Sequence, residues 1–313
     1  MTKLAALSGR LVRKSRDHLL KKRSASLRNT NPGSKNSKSR VQSSRPARSE
    51  SSGDRLLSIL ELFSDEQPEW TVEDAAQLLE TSVPTAYRYF RSLAKVGLIS
   101  PAAGANYTLG PAIIEMDRQI RLRDPLLRAG RPVMEDLIRY SPEGSAILLC
   151  RLFHDRVICV HQVAGPGPQV PVSYERGRPM GLFRGATAKV VLAHLPTHKL
   201  KKLFAEHTKE IKGAALGHNW EVFKTTLTGI RRAGACITRG EVDQGRVGIA
   251  APVFASDGSI MGSLSSVLPA YRTDETLVGR IFPLTIAGAR EIERSMQACE
   301  NAGLTIERRR KIR

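Results

Sequence analysis

The stretch that decides the fold reads TVEDAAQLLETSVPTAYRYFRSLAKVG and runs from Thr71 to Gly97. Its first half places apolar residues at helical spacing, and Thr71 in front of them is a residue type that caps helices. Thr81 and Ser82 interrupt that pattern, and Pro84 follows where a helix tolerates proline best, in its first turn. The stretch therefore predicts two short helices joined by a tight turn.

The second predicted helix has two contrasting faces. Ala86, Phe90 and Leu93 form an apolar stripe at i, i+4 and i+7. The opposite face has no acidic residue, and it presents Ser82, Pro84, Thr85, Tyr87, Arg88, Arg91 and Lys95. Because hydroxyl groups and cations bind phosphate oxygens and base edges, this face predicts a recognition helix for the major groove of double-stranded DNA. A basic solvated helix in an ordinary bundle is the alternative interpretation.

The flanking segments complete a winged helix-turn-helix. Upstream, residues 54–63 form an apolar helical pattern that can cover the other two helices. Downstream, residues 98–99 and 107–109 read as two short strands, and the turn between them contains Pro, Gly and Asn. A hairpin after a recognition helix is typical of a wing, so the predicted DNA-binding domain spans residues 50–111.

The charge of the chain is concentrated at its N-terminus. The net charge is +19 over 313 residues. Residues 1–49 contain 14 Lys or Arg and a single acid, Asp17, which leaves about +13 in this tail and about +6 in the remainder. The tail is rich in Ser, Asn, Arg and Lys and nearly free of large apolar residues beyond position 23, so we expect it to be disordered and to bind polyanions. A targeting peptide and an overlong gene start are the alternatives.

Several classes of protein find no support in the sequence. No apolar run reaches the roughly 18 residues that a membrane span needs, and no signal-peptide core is present. The four cysteines are not arranged as a zinc site and are expected to be buried thiols, and the seven histidines match no metal or nucleophile motif. We therefore expect a soluble, cytoplasmic protein without metal, cofactor or catalytic residues.

The second half of the chain predicts an α+β domain. A helical linker is expected at residues 112–125, and the domain after it at 126–308. Runs at 145–152 and 156–163 are rich in branched apolar residues and indicate a hairpin, and a second hairpin is indicated at 247–254 and 260–268 by the turn Ser256–Gly258. Helical patterns lie between and after them. This succession predicts an antiparallel sheet with helices packed on it.

Three motifs carry a resemblance to a known family. The first is the winged helix module with VPTAYRYFRSLAKVGLI, and the second is RGRPMGLFRGATAKVVLAHLP, from Arg176 to Pro196. The third is RGEVDQGRVGIAAPVFASDGSIMGSLSSVLP, from Arg239 to Pro269. In this order and at this spacing they resemble the IclR family of bacterial transcription regulators, over about residues 51–300.

The resemblance implies a GAF-like effector domain behind the winged helix, and dimers or tetramers that bind palindromic operators near promoters. It also implies control by a small molecule, commonly an organic or aromatic acid. The family's effector contacts, carried onto this chain, fall on Leu182, Ala186, Thr187, Gly248 and Ser265. To these the chemistry of the turn adds Arg184, because a guanidinium beside a helix N-terminus suits a carboxylate.

The sequence also allows two other functions. An enzyme would place catalysis in the C-terminal domain, and turnover of a bound acid would reveal it. An architectural or RNA-binding protein would act through the basic tail, and it would bind nucleic acid with little sequence preference. The favoured hypothesis is a ligand-responsive regulator in which the effector shifts the population between two dimer arrangements.

Overall fold

The computed structural model of the protein describes residues 51–168 and 172–311. The predicted basic tail, residues 1–49, lies outside the described residues. Within those two ranges no helix is both long enough and apolar enough to span a bilayer. The predicted fold class is confirmed: a helix-turn-helix with a wing precedes a domain in which helices cover an antiparallel sheet.

The helix-turn-helix forms as its sequence predicts. Thr71 caps the first helix through its Oγ1, which accepts a hydrogen bond from the Asp74 amide at 3.1 Å. Glu80 in the turn has a φ of 52°, and Pro84 lies in the first turn of the second helix. The elements of this part are α1 at Ser52–Ser58, α2 at Val72–Leu78, α3 at Val83–Lys95, β1 at Ile99–Pro101 and β2 at Tyr107–Leu109.

One apolar cluster holds these elements together. Phe90 of α3 is fully buried, and its ring meets that of Tyr107 edge to face at 5.0 Å between centroids. The backbones of Trp70 and Tyr107 exchange two hydrogen bonds, of 3.0 and 2.8 Å, which fix β2 to the chain in front of α2. β1 and β2 pair antiparallel as the wing. The remaining buried members of this cluster are Ile59, Trp70, Val72, Ala75, Ala76, Ala86, Tyr89, Leu93 and Ile99.

A six-stranded antiparallel sheet organises the second part of the chain, in the order β5-β4-β3-β8-β7-β6. Two hairpins, β3–β4 and β7–β8, form its centre, and both are predicted by the sequence. The strands are β3 at Ala146–Phe153, β4 at Arg156–Ala164, β5 at Pro179–Gly181, β6 at Cys236–Arg239, β7 at Arg246–Phe254 and β8 at Ile260–Pro269.

Helices cover both faces of this sheet because its central strands are buried on both sides. In β3, Leu148 and Cys150 pack into one cluster, whereas Ile147 and Leu149 pack into the other. The first face is covered by α6 at Ala186–Ala193, α7 at Thr197–Glu206, α8 at Thr208–Gly213 and α9 at Trp220–Ala233. The second face is covered by α5 at Pro125–Leu137 and α10 at Glu275–Lys311.

Three of these elements are not expected from the sequence. The edge strands β5 and β6 have three and four residues, and such short runs carry no alternation to detect. The six-residue α8 is too short for a clear helical period. The last helix continues to Lys311. The remaining helix, α4 at Pro111–Arg123, leads from the wing to α5.

Candidate functional site

The outward face of α3 is exposed along its length. Tyr87 is 56% exposed, and Arg88, Arg91 and Lys95 are exposed as well. The same holds for Ser82 and Pro84 at the start of the helix, whereas Thr85 is half-buried. The inward face adds Tyr89 to the expected stripe, since this residue is 6% exposed and packs with Phe90. The structure thus separates an apolar face from a polar face on one helix.

The charges on this face have no acidic partner. In the part of the chain that the structure describes, no ion pair involves Arg88, Arg91 or Lys95. The Arg88 guanidinium lies over the Tyr89 ring at 5.9 Å from its centroid, and Arg88 is exposed. Ser82 donates a hydrogen bond of 2.8 Å to Thr85 Oγ1 at the helix start. Within the described residues, an incoming anion therefore meets three exposed cations that form no ion pair.

The second candidate site lies where the N-terminus of α6 meets β6 and β7. Thr238 of β6 stands opposite Gly248 of β7, and its Oγ1 accepts a hydrogen bond of 3.0 Å from the Ala186 amide. A Cβ on Gly248 would lie 3.3 Å from Thr238 Oγ1 and 3.5 Å from Ala186 Cβ. Because Thr238 and Gly248 are small residues, the first turn of α6 lies directly against strands β6 and β7.

A buried hydroxyl chain links the first turn of α6 to β8. Thr187 Oγ1 donates to Ser265 Oγ at 3.0 Å, and Ser263 Oγ donates to the Thr187 carbonyl at 3.1 Å. Thr187 is 4% exposed, and both serines are fully buried. These hydrogen bonds satisfy groups that burial would otherwise leave unpaired. A ligand that contacts Thr187 or Ser265 must therefore separate α6 from the sheet or shift the turn that covers it.

A carboxylate already lies at the N-terminus of α6. Glu241 Oε2 accepts a hydrogen bond of 3.0 Å from the Gly185 amide, and Glu241 Oε1 lies 2.7 Å from Lys189 Nζ. The Lys189 side chain is 9% exposed and that of Glu241 is 30% exposed, so the ammonium is shielded from water and the carboxylate only partly so. Its ammonium also donates to the Ala214 carbonyl at 3.3 Å. A helix N-terminus favours negative charge, and here the charge comes from the chain itself.

Leu182 and Arg184 lie in the turn before α6 and differ in burial. Leu182 is 1% exposed and belongs to the apolar cluster beneath α6, whereas the Arg184 side chain is exposed. The Arg184 carbonyl accepts a hydrogen bond of 3.2 Å from the Tyr174 hydroxyl. Gly185 has a φ of 81°, and a Cβ there would lie 2.8 Å from Val242 Cγ2. Tyr174 and Val242 thus close over this turn.

Residues 172–178, called here the connecting segment, extend from this turn to α4. Ser173 donates hydrogen bonds to the Asp243 carboxylate through its amide and hydroxyl. Arg176 donates to the Val160 carbonyl at 2.9 Å and forms an ion pair with Asp117 of α4. The hydrogen bond from Arg176, opposed by partial desolvation, lowers the pKa of Asp117 below its usual value. The Asp117 carboxyl is therefore ionised at neutral pH.

The structure brings four of the six predicted effector residues together: Ala186, Thr187, Gly248 and Ser265 meet where α6 begins. The sequence did not single out Thr238, Glu241 or Tyr174, which complete the same site. Glu241 had a visible signal, since it is an acid between two glycines in the third motif. Tyr174 had none, because it lies in an irregular stretch without periodicity.

Three of the four cysteines, Cys150, Cys159 and Cys236, are buried as expected, whereas the prediction is wrong for Cys299, which is exposed near the end of α10. Burial raises the pKa of the Cys150 thiol well above its usual value and that of Cys236 to about 11, which makes both poor nucleophiles at neutral pH. No group of three or more His, Cys, Asp or Glu that could hold a metal ion occurs among the described residues.

Curated relatives of the chain are bacterial transcription regulators. It is 23% identical over 211 residues to the HTH-type transcriptional regulator KipR of Bacillus subtilis, covering 67% of this chain and 83% of that one. It is 19% identical over 239 residues to the Pca regulon regulatory protein of Pseudomonas putida, covering 76% and 81%.

Two solved structures share the fold. An IclR transcriptional regulator from Silicibacter sp. superposes with a TM-score of 0.67 at 20% identity, covering 79% of this chain and 96% of that one. An IclR homolog from Microbacterium hydrocarbonoxydans, solved in complex with 4-hydroxybenzoate, gives a TM-score of 0.63 at 20% identity, covering 79% and 100%.

Two family models match successive parts of the chain. The IclR helix-turn-helix domain matches residues 52–101, which include α2, α3 and β1. The C-terminal domain of the bacterial transcriptional regulator IclR matches residues 122–294, which include the whole six-stranded sheet and the site at α6. The second match alone covers more than half of the 313 residues. The chain belongs to the IclR family of bacterial transcriptional regulators.

Proposed function

We propose that α3 reads operator DNA through the seven residues of its outward face. The observation that supports this assignment is the absence of any acidic partner for its exposed cations within the described residues. A helix-turn-helix presents this face to the major groove, where guanidinium groups bind guanine edges and phosphates. The proposed contacts are Ser82, Pro84, Thr85, Tyr87, Arg88, Arg91 and Lys95.

The effector that we propose is a small organic or aromatic acid, bound where α6 begins. The observation that carries this proposal is that the Gly185 amide and the Lys189 ammonium already hold a carboxylate, that of Glu241. A relative that shares the fold contains 4-hydroxybenzoate, which is an aromatic acid. The proposed contacts are Leu182, Arg184, Ala186, Thr187, Gly248 and Ser265, with Thr238 as an addition from the structure.

Effector binding must open a closed site. Thr187 and Ser265 are buried and hydrogen-bonded to each other, so a ligand has to replace that bond and displace part of the covering turn. A molecule that binds only the opened site shifts the population toward it. The bound and free forms then differ in the position of the turn and of everything attached to it, which provides the physical basis for a response.

We propose that the protein acts as a homodimer, and that α4 contributes to the interface. Ile114 of α4 is 73% exposed, and Met116, Ile120 and Leu122 are each more than half exposed. Apolar side chains clustered on one exposed helix are typical of a protein-protein contact. A dimer would also place two recognition helices on a palindromic site. The mass in solution, measured by analytical ultracentrifugation, tests this assignment, and the change Ile114→Asp should favour the monomer.

The domain boundaries and the tail belong to the same proposal. We assign DNA binding to residues 50–111, a linker to 112–125 and effector binding to 126–308. The basic tail, residues 1–49, adds salt-sensitive affinity that does not depend on sequence. A regulator with these activities works where bacterial DNA is, in the cytoplasm and at the nucleoid.

A gel-shift experiment tests the regulator hypothesis. Purified protein is titrated against the DNA upstream of its own gene and of the divergent gene, with non-specific competitor at near-physiological salt. A discrete complex that resists competitor supports sequence-specific binding, and adding 4-hydroxybenzoate and other organic acids then identifies the effector class. A smear that competitor removes supports the architectural alternative instead, if a peptide of residues 1–49 alone gives the same smear.

A further inference from the structure

The first turn of α4 is fixed to the winged helix by backbone hydrogen bonds. The Ala112 amide donates to the Gly97 carbonyl at 3.0 Å, and the Gly110 amide donates to the Leu98 carbonyl at 2.8 Å. Gly97 lies two residues beyond Lys95, the last residue of the recognition helix, and a Cβ on it would lie 3.4 Å from Ala112 Cβ. Because backbone contacts of this kind are short and directional, the start of α4 moves with the end of α3.

The middle of α4 is held to the sheet domain by a polar contact. α4 contains no buried residue, so apolar packing contributes little to its position. Asp117, halfway along it, accepts from the Arg176 guanidinium, and the same guanidinium donates to the Val160 carbonyl of β4. Arg121, one turn further along α4, also lies 3.2 Å from Asp117, but this contact stays within the helix. Arg176 thus joins α4 to β4, while the Arg131 guanidinium of α5 donates a separate hydrogen bond of 3.1 Å to the Arg121 carbonyl of α4.

The connecting segment links Arg176 to the closed turn in front of α6. Tyr174 is 4% exposed, and burial raises its pKa, so its hydroxyl remains a hydrogen-bond donor to the Arg184 carbonyl. Its ring lies next to Gly185, where a Cβ would be 3.6 Å from Tyr174 Cε2. Ser173 holds the segment to Asp243, two positions beyond Glu241. The segment therefore contacts the covering turn at one end and α4 at the other.

We propose that Asp117 and Arg176 are the positioning residues that transmit the state of the effector site to the recognition helix, with Tyr174 as their contact at the site. The inference rests on the proposed effector site and adds the residues that couple it to DNA binding. Opening the turn before α6 displaces the Arg184 carbonyl, and Tyr174 follows it through the hydroxyl contact. The connecting segment then shifts Arg176, and Asp117 moves α4 against the end of α3.

Hydrogen exchange on the full-length free protein tests this coupling without any ligand or operator. In Asp117→Asn, a nearly isosteric change in α4, we expect the amides of residues 172–178 and 182–189 to exchange about two- to tenfold faster. Arg176→Gln should give the same pattern. Because Arg176→Gln also removes the hydrogen bond to the Val160 carbonyl, the double variant should equal Arg176→Gln rather than the sum of the two single effects.

The reverse direction and a matched control complete the test. Tyr174→Phe removes a single hydroxyl at the site, and it should accelerate exchange in α4 around Asp117, because coupling is reciprocal. Arg121→Gln removes the other cation that faces Asp117 but leaves Arg176 in place. Its effect should stay within α4. A purely local structural role for Asp117 predicts that same confined pattern for Asp117→Asn.

Two outcomes overturn the proposal. One is unchanged exchange at residues 182–189 in both Asp117→Asn and Arg176→Gln, while α4 itself exchanges faster. The other is an additive double variant, which would mean that the two residues act separately. Neither outcome depends on an effector, so the coupling can fail while organic acids still bind. Conversely, failure of every acid to bind would leave the exchange result standing.

Discussion

The recognition helix and the N-terminus of α6 both carry polar side chains, but one surface is open and the other is closed. On α3 the cations are exposed and have no acidic partner among the described residues. At α6 the hydroxyls and the Lys189 ammonium are buried and paired with each other or with Glu241. A rigid polyanion can bind the first surface without rearrangement, whereas a small ligand must exchange existing contacts for new ones at the second. Substitutions on α3 should therefore change affinity, and those at α6 should change stability.

The largest expected effect is on the buried ion pair. Lys189→Met removes the buried partner of Glu241 and leaves a carboxylate that is 30% exposed without its cation. We expect the free energy of unfolding to fall by about 2–4 kcal/mol, measured by urea denaturation. The control is Arg294→Met, which breaks a pair of the same 2.7 Å length whose side chains are 72% and 53% exposed. It should cost less than about 1 kcal/mol. Equal losses of stability in the two variants would mean that the ion pair at α6 contributes no more than an exposed one.

The open surface should respond in the opposite way. Arg88→Ala should weaken operator binding by roughly 1–3 kcal/mol and relax specificity at one base pair, because a guanidinium in the major groove contributes about this much. The unfolding free energy should stay within about 0.5 kcal/mol of the wild type. The control Arg232→Ala changes net charge equally on an exposed position of α9. If Arg232→Ala lowered affinity as much, the effect would be one of overall charge.

Two serines on opposite faces of β8 sharpen the assignment of the effector site. Ser265 accepts from Thr187, whereas Ser266 shares a hydrogen bond of 3.1 Å with Thr285 of α10. Both are fully buried, so replacing either by Ala should cost about 1–2 kcal/mol of stability. Only Ser265→Ala should shift the effector concentration that releases DNA in a gel shift. An equal shift in both variants would mean that the effector does not bind specifically at Ser265.

The smallest expected effect concerns pH. Burial, reinforced by Arg231 and opposed by the Val190 carbonyl, lowers the pKa of His194 at the end of α6. A group with a lowered folded pKa stabilises the protein above its unfolded pKa, about 6.5, and that contribution is lost as the pH falls towards the folded pKa. His194→Gln should therefore reduce the loss of stability between pH 7 and pH 5. Denaturation curves with parallel pH dependence in both proteins would contradict this.

The sequence predicts those features that repeat along the chain. The stripe of Ala86, Phe90 and Leu93 identifies α3, and continuous apolar runs such as the one in β3 identify the central strands. Apolar burial imposes both patterns locally, so they are visible without a structure. By contrast, β5 is too short to show a period, and the contacts of Glu241 and Tyr174 join positions far apart in the chain. No local pattern in the sequence shows which buried polar groups will contact each other.

The assignment of effector residues illustrates the same limit. Ala186, Thr187, Gly248 and Ser265 come from the resemblance to a family, and the structure places them together. The chemistry of the turn alone pointed to Arg184, whose side chain is exposed, while Lys189 and Glu241 supply the ion pair beside the helix N-terminus. An ion pair between a helix and a loop depends on tertiary packing, and a linear motif cannot show it.

The closure of the wing has a consequence for the design of new regulators. The two backbone hydrogen bonds between Trp70 and Tyr107 join the chain before α2 to the second strand of the wing. Both α2 and α3 therefore lie inside one closed loop of chain. A loop closed at its base keeps its internal geometry when the sequence attached to it changes. Together with the segment before Trp70 that completes the core, the proposed DNA-binding domain of residues 50–111 is therefore a natural cassette for chimeric biosensors, in which it is combined with a different sensing domain.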